Sequence, residues 1–380
     1  MDNVYLSYNS IISSLGFDSS TVVNQINDEI SGISLIDDAS LWNDTFYASL
    51  LSSEKLDTAF DVIGKASNYT RLEKMLLLAL SKVITASGRT FNEKTGLIIS
   101  TTKGNIDALE NDRGSSEKAY LSQLAQILKD FFGFQCEPIV LSNACVSGLL
   151  GIVTAKRFIQ QGRYDEVFVV GGDIISEFVL SGFNSFQAMS KMPCKPYSKY
   201  RDGITLGEAA ACVLVTSNTN NLAEEAVQII GEGSCNDANH ISGPSRTGEG
   251  LVRSVQSALK EAGLSVAEID YISAHGTATP YNDEMEAVAF NRLKMEQIPL
   301  NSFKGYFGHT LGASGLVETI IGMHSLKENR CFASLGFDEC GVSKPLNIID
   351  KTTKKPLDIF LKTSSGFGGC NTAAIFQKKT

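Results

Sequence analysis

Proline and paired cysteine are both scarce in this 380-residue chain: it has eight prolines, and its eight cysteines are scattered with no Cys-x-x-Cys pair. A disulfide framework or a structural zinc site is therefore not expected, and reduced thiols packed as small core residues are. Positive charge is in deficit as well, with 33 Lys+Arg against 42 Asp+Glu and a net charge of −9. A nucleic-acid binder needs a basic stripe, so the net charge argues against that class. Long apolar runs are missing too. The longest uncharged stretch, Pro138 to Ala155, contains Ser142, Asn143, Ser147, Gly148, Gly151 and Thr154. It is too polar to span a membrane and reads as a buried strand followed by a buried helix. The start, Met1-Asp2-Asn3, carries an acid and no basic cluster before an apolar run. It does not read as a signal peptide, and a cytoplasmic protein is expected. No stretch is of low complexity, which argues against disorder.

What is present is enough apolar material, 43% of residues, for two structural units. Strands are expected at Gly96–Ser100, Val167–Val170, Cys212–Val215 and Ile359–Leu361. Helices are expected at Arg71–Ile84, Lys118–Phe131, Leu251–Glu261 and Glu284–Leu293. The alternation predicts an α/β fold with mainly parallel strands. A weak internal repeat aligns Ser147–Arg163 with Ser314–Arg330 without gaps; both begin Ser-Gly-Leu and end in Arg. Both read as helices covered on all sides. Few positions are identical, so chance similarity remains an alternative. A true repeat would make the chain two copies of one unit, 1–222 and 223–380, joined near the polar segment Ser217–Ala226.

Three segments suggest chemistry. Cys145 lies in Leu-Ser-Asn-Ala-Cys-Val-Ser-Gly, where a strand runs into a buried helix. A helix N-terminus favours the thiolate, and small neighbours leave room for a substrate. The segment fits a core cysteine in a tight junction equally well. His275 opens the loop His-Gly-Thr-Ala-Thr-Pro after a short apolar strand, where ligands bind in α/β folds. A histidine bonded inside a turn is the plainer reading. His309 follows Lys304 by five residues among Gly305, Gly308, Gly312 and Gly315, with Glu318 on the next helix. Lysine and glutamate near a histidine can fix its tautomer; a surface ion pair is the alternative. Gly-Phe-Gly-Gly at 366–369 is a weak signal alone. His324 reads as a packed helix residue, and His240 as a loop residue able to line an entrance. One thiol and two imidazoles on strand-end loops suit acyl transfer to sulfur followed by carbanion stabilisation.

Five motifs in order then resemble the elongating β-ketoacyl-acyl-carrier-protein synthases. They are Ala-Cys-Val-Ser-Gly at 144–148, Lys-Pro-Tyr-Ser-Lys-Tyr-Arg-Asp-Gly at 195–203 running into Leu206-Gly207-Glu208, the His275 loop, Lys304 through His309 to Glu318, and Gly-Phe-Gly-Gly. The resemblance implies a thiolase-like duplicated αβαβα fold and a 3-oxoacyl synthase. Its Cys145 would be acylated, then attacked by the enolate of a malonyl group on an acyl carrier protein. It implies that the N–H groups of Cys145 and Phe367 hold the first oxyanion. It implies that His275 and His309 bind the extender's carbonyl, with Lys304 as a fourth catalytic group. Thr277, Thr279, Phe367, Gly368, Ser242 and Glu318 would form the substrate-binding set, Glu318 by organising the histidines with Lys304. Arg71 and Lys74 would dock the carrier, with Lys191, Lys195, Lys199 and Arg201 as a second candidate cluster. No metal or resident cofactor is implied, since phosphopantetheine arrives on the carrier, and a homodimer or a heterodimer with a homologous chain is.

Departures from the family pattern are Ser13-Ser-Leu-Gly at the start, Ala278 where glycine or serine is common, Ala210 where glycine is usual, Ser198 for an acid and Cys370 for threonine. They put the substrate in doubt, within fatty acid, polyene or polyketide synthesis, and leave the catalytic groups in place. Leu-Gly-Phe-Asp-Ser at 15–19 imitates a phosphopantetheine attachment site, but fourteen residues cannot supply the preceding helix, so the carrier is a separate protein. Alternatives are a thiolase-type enzyme using coenzyme A, a non-catalytic chain-length-factor-like subunit and a papain-like protease. The pair of histidines, the presence of Cys145 and the absent protease motif speak against them in turn.

Overall fold

The computed structural model describes residues 3–111, 116–237, 241 and 243–379. Ten strands form the principal sheet. In chain order they are β1 (Tyr5–Ser13), β2 (Thr95–Ser100), β3 (Ile139–Leu141), β4 (Glu166–Asp173), β5 (Ala209–Thr216), β6 (Val227–Asn236), β7 (Tyr271–Ser273), β8 (Leu300–Asn301), β9 (Ile359–Gly366) and β10 (Cys370–Lys378). Their spatial order is β8-β7-β9-β10-β6-β1-β5-β4-β2-β3. Each half therefore has the same order, 3-2-4-5-1, counted from its own first strand. Within the sheet the halves join through β1 and β6, which pair Tyr5 with Gln228 and Leu6 with Val227.

The sheet is mixed. In each half the third, second and fourth strands pair in parallel, while the last two ladders run antiparallel. With the joining pair also antiparallel, parallel and antiparallel ladders are nearly equal in number, where strand–helix alternation pointed to mainly parallel. The parallel ladders are the ones that carry the site, because their strand ends open into β3's and β7's loops.

Side-chain alternation builds the layers. Along β4, Val167 and Val169 face the helices Ser147–Gln160 and Ser314–Glu328, while Phe168 and Val170 face the helix Arg71–Ser87. In the second half Phe360 and Ala374 point inward, and Leu361 and Ile375 point outward to the helices Glu249–Ala262 and Pro280–Arg292. Strands with both faces covered are buried at every position, as in β4 and β5. The result is the expected five-layer αβαβα arrangement.

The two repeat helices lie against each other at the centre. A Cβ on Gly148 would come within 2.8 Å of the Leu316 nitrogen, and one on Gly315 within 2.8 Å of the Leu149 nitrogen. Glycine at the second position of each Ser-Gly-Leu is thus what lets the backbones approach. From Ser314 to Leu326 every residue is buried, as an all-round apolar helix requires. Outer helices are capped conventionally: Thr70 and Glu73 form a capping box for Arg71–Ser87, and Gly88 ends it at φ +60°.

Candidate active site

The strand–helix junction expected at Cys145 is present. β3 ends at Leu141, Ala144 takes φ +45°, and the helix starts at Ser147. The Ser147 hydroxyl donates to the Ala144 carbonyl (2.7 Å) and accepts from the Asn143 N–H (2.8 Å), which ties the turn. The β9–β10 hairpin closes on it. A Cβ on Gly366 would lie 3.0 Å from the Cys145 nitrogen, and the Phe367 N–H points at the sulfur. Burial pushes the Cys145 thiol up to about 11, outweighing the pull of Lys103 and Lys304. The resting group is therefore a thiol; desolvation overrides the helix N-terminus that the sequence suggested would favour a thiolate.

His275 and His309 are each 2% exposed, with ring centroids 5.1 Å apart at 80°. The reactive atoms of Cys145, His275 and His309 all lie within 4.8 Å of one another. His309 is delivered by a short ladder to Thr205–Gly207: its N–H donates to the Thr205 carbonyl (2.7 Å) and its carbonyl accepts from Gly207 (3.0 Å). A side chain at 207 would collide with the Phe307 carbonyl at 1.8 Å, so glycine is required there.

Each ring is held through Nδ1. The Lys304 ammonium lies 3.3 Å from His275 Nδ1, and the Leu311 N–H donates to His309 Nδ1 (3.3 Å) beside the Ser314 hydroxyl (2.8 Å). Nδ1 must accept in both rings, so Nε2 carries the proton. Burial first, then Lys304, holds both imidazoles well below the ordinary histidine range, so both are neutral Nε2–H donors. Thiolate and imidazole are ligand types that zinc accepts, but a protonated Nε2 has no lone pair to offer. The arrangement suits an oxyanion.

Behind the rings, Lys304 pairs with Glu318 Oε1 (2.8 Å), and Lys362, in β9, pairs with Glu318 Oε2 (2.7 Å). Glu318 does not line the cavity, which corrects its place among the substrate contacts: it is 3% exposed and faces the two lysines. Lys304 is likewise walled off and touches His275 rather than the cavity.

Further polar residues that the sequence reading passed over shape the site. Glu286 accepts from the N–H groups of His275 (2.9 Å) and Gly276 (2.7 Å), and Asp283 from that of Thr277 (2.9 Å). Burial pushes Asp283 up to about 7. Their spacing of three on the helix that follows the His275 loop was the available signal. Asp173 accepts from the N–H groups of Thr102 and Gly312 (2.7 Å), linking the halves. Ala278, at φ +63°, takes the left-handed conformation that a glycine would hold without strain.

The three reactive residues line one cavity of about 520 Å³. Thr277 and Thr279 lie on its wall with their hydroxyls 2.8 Å apart. Phe367 lines it too and packs on Phe183 and Phe186, at 5.6 and 5.4 Å. Gly368 does not line it. Its φ of +82° makes the hairpin turn and its N–H is taken by the Ile241 carbonyl, so its role is conformational. Ser242 and His240 lie outside the described residues. His324 is packed, with Nε2 3.3 Å from Asn9 Oδ1.

The docking pair is corrected. Arg71 binds Glu208 (2.6 Å), the Ser53 hydroxyl and the Leu51 carbonyl, and Lys74 binds Asp57. Both cations are paired with carboxylates and only partly exposed, Arg71 22% and Lys74 13%, so neither presents a free basic surface. In the second cluster Lys195 and Lys199 pair with Asp338 and Glu339, and Arg201 lies 3.8 Å from buried Asp283. Ser19, in the segment imitating an attachment site, is 5% exposed. Among the described residues no helix is long and apolar enough to cross a membrane.

Comparison with known proteins agrees with this geometry. The beta-ketoacyl synthase N-terminal domain matches residues 13–221, and the C-terminal domain residues 227–338. A 3-oxoacyl-acyl-carrier-protein synthase 2 of Rhizobium meliloti is 36% identical over 254 residues, 63% of this chain and 60% of the relative. One from Staphylococcus aureus (strain COL) is 31% identical over 250 residues, 62% of this chain and 60% of the relative. The match thus spans about three fifths of each. Among solved structures, a chain of the ketosynthase–chain length factor complex from Xenorhabdus doucetiae superposes with a TM-score of 0.85 at 26% identity, covering 100% of this chain and 98% of that one. A beta-ketoacyl synthase from Burkholderia phymatum STM815 does so at 0.87 and 22%, covering 100% of both, and speaks for the fold. Both domains are present in sequence order, and the chain belongs to the beta-ketoacyl synthase family.

Proposed function

We propose that the chain joins an acyl group to a malonyl extender, both carried on acyl carrier protein, giving a 3-oxoacyl thioester. One observation carries this reading. A buried thiol and two imidazoles held as Nε2–H donors converge within 4.8 Å in a cavity. Cys145 sulfur attacks the acyl thioester carbonyl. The new S–C bond forms, the oxyanion accepts from the Cys145 and Phe367 N–H groups, and the carrier leaves as a thiol with the Cys145 proton. Because the resting group is a thiol, deprotonation accompanies attack.

The malonyl thioester then binds with its carbonyl between the two Nε2–H groups. Its C–CO2 bond breaks, CO2 leaves, and the electron pair becomes an enolate stabilised by His275 and His309. The enolate carbon attacks acyl-Cys145, the new C–C bond forms and the sulfur leaves to be reprotonated. No resident cofactor takes part in this scheme, since the pantetheine arm comes with the carrier, past Thr277 and Thr279. Carrier protein and a homologous subunit or second copy are the partners we propose, in the cytoplasm. The relatives' names and the solved complex with a chain length factor support these choices. Cys145 beside both histidines disfavours a non-catalytic subunit.

The test is product formation. Purified protein with acyl- and malonyl-carrier should yield a 3-oxoacyl-carrier by mass spectrometry. A folded protein that makes none across a panel of chain lengths, alone or with its homologous subunit, contradicts the reading.

A further inference from the structure

Lys362 belongs to no motif in the sequence, yet it is one of the most enclosed cations in the molecule. It is 0% exposed, on the inward run of β9. Its ammonium meets Glu318 Oε2 at 2.7 Å and donates to the carbonyls of Thr363 (2.7 Å), Ser273 (3.1 Å) and Ala274 (3.2 Å). Burial and, less, Lys304 pull this ammonium below the ordinary lysine range, and Glu318 pulls it back. All four neighbours are acceptors, so the charged form is the one the geometry accommodates, since a neutral amine would set its lone pair against oxygen. Ser273 and Ala274 are the last two residues before His275. Lys304, on the other oxygen of Glu318, binds the His275 carbonyl and lies 3.3 Å from its Nδ1.

We propose that Lys362 is a positioning residue for the condensation: it locks the strand end that carries His275 and gives the buried Lys304–Glu318–Lys362 cluster a net charge of +1 behind both imidazoles. This rests on the function proposed above and deepens it. A lysine–glutamate pair alone would be neutral. The second lysine leaves one positive charge directed at the place where the enolate's negative charge develops, in a medium where water cannot screen it. It also opposes protonation of the rings, so they stay hydrogen-bond donors with no charge of their own.

The charged groups around the rings are few. Lys304, Lys362 and Glu318 lie behind them, Lys103 reaches from the loop after β2, and Glu286 holds the backbone of His275. The Cys145 thiol stands in front. Asp173 is turned to Thr101, Thr102 and Gly312. Lys362, like Glu318, lines no part of the cavity and bonds neither ring, so it acts through its neighbours.

The experiment uses the full chain with Lys362→Met and Lys362→Arg. Two steps are followed across pH: acyl loading of Cys145 by intact mass, and CO2 release from malonyl-carrier. In K362M, CO2 release should fall ~10-fold or more while acyl loading changes less than ~3-fold. The acid limb of CO2 release should move up by about one pH unit, because loss of a positive charge makes ring protonation easier. K362R retains the charge and should keep the wild-type acid limb even where its rate drops. A K362M enzyme with the wild-type rate and limb, or equal limb shifts in both variants, overturns the proposal. A measurement that needs neither variant nor turnover is the titration of 13C-labelled histidine rings in the wild-type protein. The proposal requires His275 and His309 to stay neutral well below the ordinary histidine range, and titration of either near the ordinary 6.5 refutes it. Absence of CO2 release from the wild type would refute the proposed function, and the same ring titration repeated in K362M and K362R, expected to move up in the first and not in the second, would still decide the charge at Lys362.

Discussion

Replacing His309 with alanine separates the two half-reactions. The ring offers Nε2–H to the cavity and is fixed from behind by the Leu311 N–H and the Ser314 hydroxyl. Removing one such donor from a water-poor site costs about 2.7–4 kcal/mol of transition-state stabilisation, or roughly 100- to 1000-fold in rate. That loss should fall on CO2 release from malonyl-carrier. Acyl loading uses the Cys145 sulfur and the Cys145 and Phe367 N–H groups, none of which is bonded to His309. It should change by less than about tenfold, by the same logic that an absent contact cannot be lost. The variant also strands the Leu311 N–H, at a stability cost of about 1–3 kcal/mol. Ser314 keeps its contact with Thr310 at 3.2 Å. A thermal melt therefore accompanies the assays, and rates are compared at a temperature where the variant is folded. Equal loss in loading and CO2 release would refute the assignment of the histidine to the second step.

Two other perturbations probe different parts of the account. Alkylation of Cys145 by iodoacetamide should accelerate about tenfold per pH unit from 7 to 10, since burial keeps the thiol protonated until about 11; a plateau near neutrality would mean a preformed thiolate. Gly148→Ala should destabilise the fold by about 1–3 kcal/mol. The new Cβ would meet the Gly312 carbonyl and the Leu316 nitrogen at 2.8 Å, and an unchanged melting temperature would mean the central helices can part freely.

Much of this was legible in the sequence for identifiable reasons. Helix positions came through because caps and periodicity are local. Arg71–Ile84 was expected and Arg71–Ser87 is found, ending at a glycine. The Ser-Gly-Leu repeat was visible because each glycine answers a backbone in the other copy. Cys145, His275 and His309 stood out because turns of small and glycine residues hold them. What depends on distant partners did not show. Arg71 reads as a surface cation until Glu208, 137 residues away, is placed against it. Lys362 reads as an ordinary strand residue until β9's register turns it toward Glu318. The state of the Cys145 thiol depends on burial, which a helix-terminus argument from sequence omits. The near balance of parallel and antiparallel ladders depends on where β1 and β5 insert, which alternation of strands and helices does not specify.

The central claim is that the sulfur of Cys145 carries the acyl chain. Intact-mass and peptide-level spectrometry after incubation with an acyl-carrier substrate tests it directly. The account predicts one acyl adduct on the peptide containing Cys145, discharged when malonyl-carrier is added and missing in Cys145→Ala. An adduct that persists in that variant, or one mapped to Cys370 or another thiol, would contradict it.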